Sequence, residues 1–167
     1  MHARKKAMKY HLKRKDREIT DQTELKRILR TTKYVTIALS MNNQPYLVSL
    51  SHGYDEAKNC LYFHCARVGK KIDYIKSNDN VWGQALMDQG YAEGECDHLF
   101  ASVHFQGKIT FVEDMKEKQT AIECMIRQLD KSPQSMIAKL KHERLKTVNI
   151  GRIDIAEMTG KKHETKT

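Results

Sequence analysis

Gly69-Lys70-Lys71 follows a run of strand-like residues and precedes Ile72 and Ile75, which recur at the spacing of one helical face. The spacing predicts a short helix over about 69–78 with both lysines in its first turn. First-turn amides have no intrahelical acceptor, so two ammonium groups beside them make a place for a phosphate dianion. An exposed helix-start pair is the plain alternative, but cations oppose the helix dipole at that end, which favours a bound anion.

Other chemistries lack residues at the needed spacing. The eight histidines, His2, His11, His52, His64, His98, His104, His142 and His163, form no HxH, HExxH or Cys/His cluster, so no metal site is expected. A Walker loop, a GxGxxG after a strand and a GxSxG elbow are all missing. Cys60, Cys65, Cys96 and Cys124 form no CxxC pair or regular framework, which predicts free thiols in a reducing compartment.

The elements that must position the lysine pair can be read from periodicity. Asp21-Gln22-Thr23-Glu24 has the pattern of a capping box before Leu25, Ile28 and Leu29. From Tyr34 the period becomes two, and strands are expected from there, over about 46–54 and over 60–65, a β-meander. After the short helix, 81–87 returns to strand character, and the polar stretch 88–98 is expected to be an irregular loop. Alternation over 99–112 predicts a long strand or a tight hairpin at Gly107.

Asp114 opens an amphipathic helix carrying Ala121, Ile122, Met125, Ile126 and Leu129, and Ser132-Pro133 starts another short one. The last strand, 147–157, changes parity between Ile150 and Ile153, and a bulge at Gly151 would absorb the slip. Five or six antiparallel strands with flanking helices argue for a small α+β barrel, not a doubly wound sheet. The single Trp82 and the aromatics Tyr62, Phe63, Phe100 and Phe105 are expected in the core.

At 167 residues and 40% hydrophobic content, one domain with one core is expected. The organisation reads as a basic arm over 1–18, a single domain over 19–160 and a polar tail over 161–167. Of the net charge of +9, residues 1–18 hold +6, with eight basic side chains against Asp16 and Glu18. A solvated arm is the expectation, and a nucleic-acid partner is not. No run approaches the roughly 20 apolar residues that span a bilayer, so a cytoplasmic protein without a membrane partner is expected.

The segment Pro45-Tyr46-Leu47-Val48-Ser49-Leu50-Ser51-His52-Gly53-Tyr54-Asp55, followed by Leu61-Tyr62-Phe63-His64-Cys65-Ala66-Arg67-Val68-Gly69-Lys70-Lys71-Ile72-Asp73, resembles the nitroimidazole-resistance branch of the FMN-binding split β-barrels. It is similar, more distantly, to pyridoxamine phosphate oxidase. Ala101-Ser102-Val103, Gly107-Lys108, Val112-Glu113-Asp114 and Ile153-Asp154-Ile155-Ala156-Glu157 extend the resemblance, which covers about residues 14–162.

The resemblance implies a homodimer with FMN in a groove between subunits. Main-chain groups of Leu47, Val48, Ser49 and Leu50 would hold the ring edge, while Gly69, Lys70, Lys71 and the preceding strand, Phe63, His64 and Cys65, would hold the phosphate. Ser102 would reach the ring from the partner subunit. The implied activity is an FMN-dependent oxidoreductase that passes electrons from a nicotinamide or other reduced donor to a small organic acceptor, with no obligatory protein acid or base. Met158-Thr159-Gly160-Lys161-Lys162-His163 is not the oxidase's terminal substrate-binding signature, so pyridoxamine is not the expected substrate. The alternatives are FAD in place of FMN, haem on a lone axial His64, His98 or His104, a flavin carrier without turnover, and a nucleic-acid binder using the basic arm.

Overall fold

The structure is a computed structural model that describes residues 12–164. Residues 1–11 of the basic arm lie outside the described residues, and Lys15–Arg17 forms a single 3-10 turn. A two-residue strand β1 (Glu18–Ile19) leads to helix α1 (Gln22–Thr31), which Asp21 caps by accepting from the Thr23 amide at 2.8 Å. The Glu24 carboxylate meets Lys162 at 3.0 Å instead of closing the box.

Strands β2 (Tyr34–Met41), β3 (Gln44–Ser51), β4 (Gly53–Asp55) and β5 (Cys60–Cys65) form the meander. Helix α2 (Lys70–Ser77) separates them from β6 (Asn80–Ala92) and β7 (Asp97–Phe111), and helices α3 (Met115–Leu129), α4 (Pro133–Ala138) and α5 (His142–Thr147) precede β8 (Asn149–His163).

All eight strands pair antiparallel in the order β3-β2-β6-β7-β8-β5-β4, with β1 on β8. The sheet curls around one core to which β2 through β8 all contribute, from Val35, Ile37 and Leu39 through Phe63, Val103 and Phe105 to Ile153. Helices α1 and α2 close it with Leu25, Ile28, Leu29, Tyr74 and Ile75. The expected barrel is present, with two or three more strands than the sequence suggested. Among the described residues, no helix is long and apolar enough to cross a membrane.

Three local expectations are corrected. The stretch 88–98 is the tip of a β-hairpin, with Tyr91 opposite His98 and Ala92 opposite Asp97, so the polar composition reflects an exposed ribbon rather than a loop. The second predicted strand breaks at His52 into β3 and β4. The parity change in β8 does not come from a bulge at Gly151.

Ile150 packs towards α3 while Ile153 and Ile155 face the barrel interior, so both parities are apolar because this part of the sheet is covered on both faces. Gly151 stands opposite Phe63, whose ring occupies the place of a side chain. The extra residue is Ala156: Gln106 pairs with Glu157 but Gly107 pairs with Ile155. A Cβ on Gly107 would fall 2.0 Å from the Asp154 carbonyl, which is why β7 runs straight through a glycine here.

Candidate functional site

Helix α2 starts because Gly69 takes φ +120°, a backbone conformation that side chains resist, and lets the short connection after β5 turn into a helix. Its carbonyl accepts from the Ile72 and Asp73 amides at 2.8 and 3.1 Å. No side chain caps the helix, and within the described residues the Lys70 and Lys71 amides have no partner. The two lysines then diverge. Lys70 is exposed, with its ammonium 4.6 Å from the Tyr46 ring centre and 5.7 Å from that of Tyr74. Lys71 is half-buried, 5.8 Å from the Phe63 ring centre.

Tyr46 belongs to β3, an edge strand of the sheet, which offers an unpaired row of main-chain donors and acceptors. Val48 and Leu50 turn inward against the core, while Leu47 and Ser49 turn outward, and the Ser49 hydroxyl shares a hydrogen bond with that of Thr36 at 2.9 Å. Phe63 is buried. Cys65 is half-buried beside Asn149, with its thiol pushed up by burial against the opposing pull of Lys71.

The structure therefore groups Lys70, Lys71, Phe63 and Cys65 with the Tyr46 and Tyr74 rings, beside the edge strand that carries Leu47, Val48, Ser49 and Leu50. Two expected residues stand apart within one chain. His64 faces away from the lysines, across β5, into a cleft of about 710 Å³ lined also by Met125, Leu129, Met136, Leu145 and Val148. Ser102 lies three strands from β3, buried, with its hydroxyl donating to the Lys161 carbonyl at 3.3 Å. Tyr46 and Tyr74 were missed, and their signal is visible only once the strand and helix are folded together, because 28 positions separate them in sequence.

The outward face of β3, β2, β6 and β7 carries two aligned rows, Leu47-Ala38-Trp82-Gln106 and Ser49-Thr36-Gln84-His104. Trp82 is 55% exposed there and does not pack in the core, a correction to the expectation from its strand position. Leu47, Leu86 and Tyr34 are also exposed on this face, at 66%, 48% and 59%. Large apolar side chains gathered on one face are the usual mark of an interaction surface. Burial holds the His104 imidazole below its ordinary range, with Lys161 acting in the same direction.

A curled antiparallel sheet in this strand order, with flanking helices, is a split β-barrel. The family model described as pyridoxamine 5'-phosphate oxidase matches residues 21–162, and the chain belongs to that family. Solved structures share the fold. A candidate 5-nitroimidazole antibiotic resistance protein from Bacteroides thetaiotaomicron aligns with a TM-score of 0.74 at 23% identity, over 86% of this chain and 85% of its own. The flavocytochrome Anf3 from Azotobacter vinelandii aligns at 0.76 and 18%, over 93% and 73%. A FAD-binding protein from Mesorhizobium loti aligns at 0.64 and 20%, over 89% and 98%. Among curated proteins, none matches this sequence.

Proposed function

We propose that the chain is a flavin-dependent oxidoreductase that binds FMN as a homodimer. The observation that carries this reading is the start of α2, where two lysines and two amides without a partner among the described residues stand beside the free edge of β3. One such cradle suits one phosphate, which favours FMN over a dinucleotide. The solved relatives described as a flavocytochrome and as FAD-binding support a flavin in this fold. The exposed face of Leu47, Trp82 and Leu86 supports a second copy as its cover, which would bring the partner's Ser102 towards the ring.

The flavin supplies two-electron transfer between a nicotinamide or other reduced donor and a small organic acceptor. The protein's part is to orient and to tune. Lys70 and Lys71 with their amides anchor the phosphate, the Tyr46 ring holds the Lys70 ammonium in place, and the β3 edge offers main-chain partners to the ring's polar rim. The Bacteroides relative makes a nitroaromatic the first acceptor to try.

The test is the absorption spectrum of the purified protein with added FMN, repeated on the Lys70→Ala/Lys71→Ala double variant. Flavin bands are expected in the wild type. Losing charge-assisted hydrogen bonds worth about 1.5–3 kcal/mol weakens binding roughly tenfold to hundredfold in the variant. Bleaching by NADH or NADPH and return of colour with an acceptor separate an oxidoreductase from a carrier. A Soret band would replace flavin with haem, and no bound chromophore at all would overturn the reading.

A further inference from the structure

Beside α2, a cavity of about 270 Å³ is lined by Arg67, Ile72, Lys76, Phe111, Glu113, Lys118, Val148 and Asn149. It shares no residue with the Lys70/Lys71 cradle. Three cations face it against one carboxylate.

Lys118 is the decisive member. It is only 7% exposed, and its ammonium has a single hydrogen-bond partner among the described residues, the Val148 carbonyl at 3.4 Å. None of the ion pairs among the described residues includes it, whereas buried lysines are almost always paired. It also lies in the first turn of α3, where the helix dipole disfavours a cation. A side chain held in two unfavourable settings with two donors unused needs an anion that the chain itself does not provide.

The neighbours fit that need. The Arg67 guanidinium is fixed at the cavity by donating to the Lys146 carbonyl at 2.6 Å, which leaves other N–H groups unused. Lys76 is exposed at the rim, with no ion-pair partner among the described residues. The Asn149 amide is committed to the Ala66 carbonyl at 3.2 Å and the Cys65 sulfur at 3.5 Å, so it braces the wall rather than receiving a ligand. Glu113 limits the net charge, which suits a single phosphate group.

We infer that this cavity binds a phosphate-sized oxyanion, a free phosphate or the phosphoryl group of a small phosphomonoester, held by Lys118, Arg67 and Lys76 apart from any flavin phosphate at the start of α2. The experiment is thermal unfolding of the full chain in inorganic phosphate against chloride at matched ionic strength, with FMN absorbance titrations in parallel. Phosphate is expected to raise the wild-type midpoint saturably, by about 5–10 °C at a hundredfold excess over Kd. Lys118→Met removes the rise and leaves FMN affinity within twofold. Arg67→Gln, which leaves Lys118 in place, weakens phosphate binding roughly tenfold and serves if Lys118→Met does not fold.

Glycerol 3-phosphate acting at lower concentration than phosphate would assign an organic phosphomonoester, and equal potency would assign free phosphate. Equal phosphate shifts in the wild type and the variants would overturn the site, and so would displacement of phosphate by FMN. Failure of FMN to bind any of the proteins would overturn the flavin reading while leaving this result standing.

Discussion

Thiol chemistry and glycine sterics are decided residue by residue. Burial pushes the Cys124 thiol up to about 11 and raises those of Cys60 and Cys65 as well, so they stay protonated at neutral pH. Cys96 is exposed at the turn of the β6–β7 hairpin. A thiol reagent at pH 7.5 is expected to label Cys96 alone in the native protein, and all four cysteines after denaturation, read by intact mass. At Gly107 the crowding is with backbone, which cannot rotate away. Gly107→Ala is expected to cost about 1–3 kcal/mol and to lower the thermal midpoint by roughly 2–10 °C. The helix start that carries the two lysines was legible from sequence because a glycine before them sits at a change of period. Lys118 was not, since an exposed and a buried lysine look alike on an amphipathic helix until the facing strand is in place.

At the scale of elements, the break between β3 and β4 is held by His52, which is fully buried and joins the sheet to α1 through the Leu29 carbonyl at 2.9 Å. Gln128 of α3 ties the same junction together, donating to the Leu29 and Thr32 carbonyls and accepting from the Tyr54 amide. Burial depresses the His52 pKa below 6.5. The unfolded chain therefore takes up the proton first, and the stability is present above pH 6.5 and lost as pH falls through the lower, folded value. Thermal midpoints are expected to drop between pH 7.5 and 5.5 in the wild type, and less in His52→Gln.

Helices announced by caps, α1 at Asp21 and α3 at Asp114, were readable, as were strands with strict alternation. The hairpin tip at Tyr91–His98 was not, because both of its faces meet solvent and alternation has nothing to report. The position of the bulge was misread for a related reason. A strand buried on both sides shows apolar residues at both parities, which looks like a slip in phase.

For the whole molecule, the outward face is the main determinant. Its exposed tryptophan contradicts the sequence expectation because Trp82 stands on the outward parity of β6, opposite Val81 and Ala85, whose side chains fill the core. With the proposed dimer, Leu86→Glu buries a charge from each subunit in an apolar contact. Sedimentation is expected to shift from dimer to monomer, and flavin binding to fall with it, although Lys70 and Lys71 are intact. The wild-type thermal midpoint should rise with protein concentration, and that of Leu86→Glu should not.

The double covering of β5 also makes the sheet uneven in time. Cys60 and Tyr62 are sealed by α3, and Leu61 and Phe63 by the barrel interior. Their amides can meet deuterium only when the fold opens as a whole, whereas those of the β6–β7 tip exchange through local fraying. A continuous hydrogen-bonded ladder is thus expected to give two kinetic populations in exchange mass spectrometry. Peptides from 60–65 should set the global unfolding limit, and peptides from 88–98 should be labelled orders of magnitude sooner.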